Sequence, residues 1–129
     1  MNPETKAPAP YVVRGGELRM HRYHPLSELG YAEAPGGGFL ADVVMGMVRT
    51  QAPREFDFHI EHDEMLFIHR GSMELRIGDE VHRLGPGDMV ALPAGTDVTY
   101  VYTEETEIVF ACAPDEARAE RLALTRDGG

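Results

Sequence analysis

What most constrains the fold of this chain is a succession of short segments rich in β-branched and aromatic residues, each bounded by Gly, Pro or Asp. They run Phe39 to Thr50, Phe56 to His59, Glu64 to Arg70, Ser72 to Ile77, Glu80 to Leu84, Asp88 to Leu92, Val98 to Tyr102 and Glu107 to Ala113. Segments of this length and composition, about eight to twelve residues apart, predict antiparallel strands built into a sandwich or barrel. The clearest turn is Gly78-Asp79, a two-residue link that suits a tight hairpin between Ile77 and Glu80.

The flanks are less regular. Met1 to Pro10 has one Lys, three prolines and no apolar run, so residues 1–10 are expected to be a disordered leader and residues 11–129 a single domain. Tyr11 to Met20 reads as two extended pieces broken at Gly15-Gly16, and Pro25 to Leu29 as one helical turn. Near the end, Pro114-Asp115 opens Glu116 to Leu124, where acids come early and Arg118 and Arg121 late, as in a short capped helix.

Composition excludes several partners. With 22 acidic against 12 basic residues, the formal charge of −10 repels a phosphate backbone, and no basic stripe offsets it, so neither nucleic acid nor an anionic membrane is expected. The longest apolar run, around Val43 to Val48, is too short to span a bilayer, and a cytoplasmic protein is expected. Cys112 is the only cysteine and sits in the apolar run Ile108 to Ala113, which reads as a small buried residue, not a nucleophile. An exposed strand edge in so small a protein points to a homodimer.

Chemistry concentrates in two glycine-anchored stretches. In the first, His59-Ile60-Glu61-His62-Asp63-Glu64 runs on to Gly71; in the second, Gly87-Asp88-Met89-Val90-Ala91-Leu92-Pro93-Ala94-Gly95 frames a short apolar strand. Alternation sends Asp57 and His59 to one face of their strand and Phe56 and Phe58 to the other. A turn over Ile60 to Asp63 would return Glu64 beside them, making a cluster of two carboxylates and an imidazole with His62 on the turn. Such donors suit one divalent transition metal (Zn, Ni, Mn or Fe), and a site without metal is the equal alternative. His82, His21 and His24 remain further histidines whose reach the sequence leaves open.

These two stretches resemble the motifs of the cupin superfamily, small β-barrels that usually carry one metal ion. The resemblance implies an all-β, antiparallel jelly-roll barrel, here with a short C-terminal helix. Where the family motifs place the first and last metal-binding histidines, this chain has Asp57 and Val98. The frame Asp63-Glu64, Gly71, Gly87-Asp88, Pro93 to Thr96 and Ala113-Pro114 also looks like the ethanolamine-utilisation cupin subgroup, to which an acetate kinase activity is attributed. Val98, Tyr100 and Tyr102 share one parity and are expected to face inward together, with Met45, Met47, Leu66, Val98 and Tyr102 as walls of an apolar pocket for a small organic substrate. The expected reaction is proton transfer, as in an isomerase, cyclase or lyase: Glu64 is the acid or base, His59 assists it, and Tyr100 donates a hydrogen bond to a developing enolate or phenolate. With a metal on His59, Glu64, Asp57 and His62 the chemistry would extend to dioxygenation. The competing class is a non-catalytic binding or accessory module.

Overall fold

A computed structural model describes residues 9–113. Ten strands follow one another: β1 (His21–His24), β2 (Ser27–Tyr31), β3 (Val44–Thr50), β4 (Arg54–His59), β5 (Glu64–Arg70), β6 (Met73–Ile77), β7 (Glu80–Leu84), β8 (Met89–Leu92), β9 (Asp97–Tyr102) and β10 (Thr106–Cys112). They form a six-stranded sheet in the order β1-β2-β3-β10-β5-β8 and a four-stranded sheet in the order β4-β9-β6-β7, antiparallel at every pairing. The strands read from sequence between Phe56 and Ala113 recur within a residue or two, and the Gly78-Asp79 hairpin pairs Ile77 with Glu80, Gly78 taking φ 59°.

The expected closed barrel is corrected. Among the described residues no ladder joins the two sheets, and β1, β8, β4 and β7 remain edges. The chain passes between sheets at 60–63 and at Gly71-Ser72, where it turns without continuing a ladder, so two open layers face each other across a shared core. Gly71 makes its crossing possible: it takes φ 81°, and a Cβ there would run into the Glu105 carbonyl oxygen and meet the Thr106 Cα at 2.8 Å. The helical turn expected over Pro25 to Leu29 is instead β2, held by its ladder to β3, and the only helical piece among the described residues is a 3-10 turn at Gly15–Glu17. The helix expected over Glu116 to Leu124 and most of the leader lie outside the described residues.

Burial follows alternation. Val44, Leu66, Ile68, Leu75, Leu92, Val98, Tyr100, Tyr102, Ile108 and Phe110 turn inward from both sheets and are at most 6% exposed. The outer face of the six-stranded sheet divides in two. Toward one end Glu107 accepts hydrogen bonds from Arg49 Nε at 3.0 Å and His69 Nδ1 at 2.6 Å, while Arg49 Nη1 also reaches Glu28 at 2.8 Å. Toward the other end the registers align Met47, Val109, Phe67 and Met89 in one row and Met45, Ala111, Met65 and Ala91 in the next. Met45, Met65 and Met89 are 53%, 55% and 70% exposed.

The Glu107 cluster makes stability depend on pH. Burial pushes this carboxyl up, but the hydrogen bonds and charges of His69 and Arg49 outweigh it and hold the group below its usual 4.5. A depressed carboxyl contributes stability that is present above the unfolded-state value and is lost as pH falls through the folded value. Glu107→Gln should therefore cost roughly 1–2 kcal/mol at pH 7, with the gap to wild type closing as pH falls below 4.5. Urea unfolding at several pH values measures it, and a gap independent of pH would contradict the assignment.

Candidate functional site

Between the two sheets lies a cavity of about 340 Å³. The six-stranded sheet contributes Tyr23, Leu29, Tyr31, Val48, Glu64, Leu66, Ile108 and Phe110; the four-stranded sheet contributes Arg54, Phe56, Phe58, Tyr100 and Tyr102. Seven of these thirteen are aromatic and only two carry charge, so the cavity suits a largely apolar molecule with few polar anchors.

Strand alternation builds its aromatic wall. β4 pairs with β9 so that Phe56 lies opposite Tyr100 and Phe58 opposite Val98. The Phe56 and Tyr100 rings are 5.1 Å apart, Tyr100 and Tyr102 are 6.3 Å apart and within 11° of parallel, and Phe58 packs 6.2 Å from Tyr100. On the facing sheet Tyr31 meets Phe110 edge-on at 5.6 Å. Gly46 makes room for this ring, since a Cβ on it would collide with Phe110.

The two charges come from different strands. Glu64 opens β5 between Cys112 and Leu92 and is 8% exposed. Arg54 opens β4, its Nη1 donating to Ser27 Oγ at 2.5 Å and lying 3.5 Å from the Tyr23 hydroxyl. Its guanidinium carbon sits 4.2 Å from the Phe56 ring centre and 5.6 Å from that of Tyr23. Ser27 continues to Thr50 through a 2.9 Å hydroxyl contact, and Thr50 is hydrogen-bonded to Tyr102. Burial, with a smaller contribution from Tyr23, pushes the Tyr102 phenol well above its ordinary value, outweighing Arg54 and Thr50, so this hydroxyl stays protonated.

Several expected site residues are elsewhere. Asp57 and His59 do share a face, but it is the outer one: Asp57 accepts from Thr99 Oγ1 at 2.6 Å, and His59 Nδ1 lies 2.6 Å from Asp97 Oδ1, with its side chain 59% exposed. The physical reason is the competition within one alternating strand. Phe56 and Phe58 bury far more apolar area than an acid and an imidazole, so they take the inside. The expected β4–β5 hairpin is also absent, because residues 60–63 carry the chain into the other sheet with Ile60 wholly buried and His62 only half-buried.

The proposed metal cluster of His59, Glu64, Asp57 and His62 is thereby corrected. Its donors are not gathered, and among the described residues no group of three or more His, Cys, Asp or Glu side chains could hold a metal ion. The residues present do not fit the metal usual in this fold: Glu64 faces the cavity while Asp57 and His59 point away from it, and Val98 is an apolar core residue. Met45 and Met47 are corrected too, since β3 turns Val48 inward and these two outward. Leu66, Tyr100 and Tyr102 line the cavity, whereas Val98 packs beneath it without reaching it. His21, His24 and His82 do not line it either; burial and then Arg54 lower the value of His24, whose Nδ1 accepts from the Leu26 amide at 3.1 Å. Arg54, Tyr23, Tyr31, Phe56, Phe58 and Phe110 were not anticipated. Parity alone signals Arg54, which must follow Phe56 and Phe58 inward once they are taken as core.

With Asp57 and His59 on an exposed face, His59→Ala and Asp57→Ala should each change stability by less than about 0.5 kcal/mol and leave occupancy of the cavity unaltered. Thermal melts and binding of an apolar fluorescent probe measure this, and a loss of probe binding would return these residues to the site.

Comparison with known proteins agrees with this architecture. No curated protein matches the chain. Among solved structures it is similar to an RmlC-like cupin from Shewanella frigidimarina (TM-score 0.72, 12% identity, 86% of this chain and 96% of that one). It is similar as well to the polyketide cyclase RemF from Streptomyces resistomycificus (0.68, 14%, 83% and 81%) and to the EutQ protein of Clostridium difficile (0.57, 14%, 72% and 67%). At these identities the likeness is one of fold and assigns no subgroup. The cupin domain model matches residues 47–113, from β3 to just past β10 and so through most of the cavity walls, and the chain belongs to the cupin family.

Proposed function

We propose that the protein is a small-molecule enzyme of proton-transfer type, an isomerase, cyclase or lyase, that works without assistance from His59. The observation that carries this reading is Glu64, an 8% exposed carboxyl on a cavity wall that is apolar and aromatic apart from Arg54. In such surroundings a carboxyl exchanges a proton with a bound carbon or oxygen acid without competition from bulk water. Tyr100 lines the opposite wall, where its hydroxyl can donate to an oxygen that gains charge as the proton leaves, while the protonated Tyr102 lies toward the Arg54 end beside Thr50. The stacked rings of Phe56, Tyr100 and Tyr102 favour a flat, conjugated substrate. That RemF is a polyketide cyclase accords with this reading, since the same fold there serves a cyclisation. An acetate-kinase-like role has less support: the cavity walls carry a single cation, and among the described residues no glycine-rich loop leads into a helix to cradle phosphate.

Glu64→Gln keeps size and hydrogen bonding but removes the exchangeable proton. Turnover should fall by roughly a hundredfold or more with substrate binding retained. Unchanged turnover would sink the enzymatic role of Glu64, and a change in affinity alone would favour a binding module.

The assembly unit of this reading is a homodimer. Its carrier is the outer face of the six-stranded sheet, where two aligned apolar rows cross β3, β10, β5 and β8. With strands about 4.8 Å apart and rising about 3.4 Å per residue, the two apolar rows cover roughly 250 Å² and the whole six-stranded face roughly 500–600 Å² in projection, so the contact takes in the flanking strands as well. Side-chain relief brings it near the ~800 Å² per partner of a stable interface, and a two-fold axis would set the same methionines against one another. Equilibrium sedimentation at micromolar concentration should give a dimer for the wild type and a monomer for Met65→Glu; a wild-type monomer would end the reading.

A further inference from the structure

We infer that the cavity takes an elongated aromatic anion, with Arg54 as the group that recognises its negative end. The inference shares its cavity with the proton-transfer reading and rests on it for the orientation of the substrate. Arg54 is a cavity-wall cation whose hydrogen-bond and ring partners among the described residues are neutral: the Ser27 and Tyr23 hydroxyls and the rings of Phe56 and Tyr23. Among the described residues no carboxylate forms an ion pair with it, although every other ion pair of an arginine, at Arg49, Arg76 and Arg83, involves glutamate. A guanidinium has five N–H donors in a planar fork, and among the described residues only its Nη1 is hydrogen-bonded, which leaves Nε and Nη2 for a planar oxyanion.

The site is built to hold that guanidinium still. Ser27 is 1% exposed and Thr50 is wholly buried, so the hydroxyl pair that meets Arg54 is fixed in the core, and the Phe56 and Tyr23 rings pack 4.2 and 5.6 Å from the guanidinium carbon. An acidic chain that leaves one partly buried arginine without an acid retains a binding group, because desolvating a lone cation costs stability unless a ligand or solvent satisfies it.

Length follows from register. Arg54 reaches Ser27, which pairs with Thr50, and Thr50 pairs with Thr106 at one end of β10; Glu64 pairs with Cys112 at the other. The two charges therefore enter from opposite ends of β10, about 20 Å of backbone apart, with their side chains reaching inward. Between them lies the ring-lined part of the cavity. A molecule of two or three fused or conjugated rings, with a carboxylate or acidic phenol at one end and its reacting carbon at the other, fits a space of about 340 Å³ so arranged. The anion on Arg54 keeps negative charge away from Glu64 and points the reacting end at it. A neutral or small substrate would leave the fork unused.

The test uses anthracene-2-carboxylate and its neutral carboxamide, titrated against the full chain and followed by probe fluorescence, which no tryptophan obscures. At pH 7 the wild type should bind the carboxylate at least about tenfold more tightly than the amide. Arg54→Met should bring the two within about twofold, chiefly by weakening the carboxylate, and Arg54→Lys should recover part of the preference. Glu64→Gln should preserve it. Equal affinities in the wild type, a preference that survives Arg54→Met, or failure of the wild type to bind either probe would each overturn the proposal. The two readings fail separately: full turnover in Glu64→Gln removes the proton-transfer role and leaves the anion preference standing, whereas loss of the preference leaves Glu64 as a catalytic acid for a neutral substrate.

Discussion

The structure depends on the burial of one alternating aromatic pair, Phe56 and Phe58 on β4, against Tyr100 and Tyr102 on β9. A strand can present only one of its two faces to the core, and a pair of phenylalanines removes more apolar area from water than any other arrangement of this segment. Everything else on β4 is then settled. Asp57 and His59 must lie outside, where Thr99 and Asp97 satisfy them, and Arg54 must lie inside, where only hydroxyls and ring faces receive it. The site is therefore not a depleted copy of a metal centre. It is an aromatic cavity with one carboxyl, Glu64, and one guanidinium, Arg54, on its walls.

That arrangement changes how the fold's usual chemistry can be carried. A metal site gathers several polar side chains at one point, whereas here the inward positions of β4 and β9 carry rings, leaving Glu64 as the acid in the cavity wall. On the proposed reading such a site would work by excluding water and holding a flat molecule in place, with its acid in apolar surroundings. Burial also keeps the Tyr102 phenol protonated, a neutral hydroxyl hydrogen-bonded to Thr50.

The two faces of the six-stranded sheet serve different ends. Its inner face supplies Glu64, Leu66, Ile108 and Phe110 to the cavity, and its outer face sets an ionic cluster around Glu107 beside two apolar rows. Met45, Met65 and Met89 lie exposed within those rows, and the homodimer proposed above would bury their flexible side chains. Because Met45 and Met47 alternate with Val44 and Val48, a single strand feeds both the interior and this outer surface.

Local pattern determined the strands, since Gly, Pro and Asp punctuation and β-branched composition act within a few residues, and β4 to β10 lie close to where the sequence places them. It also determined parities: Asp57 with His59, and Val98 with Tyr100 and Tyr102. Tyr100 and Tyr102 line the cavity as that parity implies, though Val98, which shares it, does not; Glu64 was placed by the family motif, with Leu66 following on its parity. What the sequence alone could not decide is which parity faces in, because an acid and a histidine near a family motif and two phenylalanines between them are equally periodic. Nor could it decide that residues 60–63 leave one sheet for the other, which separates Glu64 from His59. Short β1 and β2 were missed because Pro25 and Gly30 interrupt their pattern; the ladder to β3 holds β2 as a strand, and β1 in turn pairs with β2. The joining of Arg54 to Ser27, Thr50 and Tyr102 is likewise a property of packing, because those residues come from different strands and meet only when both sheets close on one core.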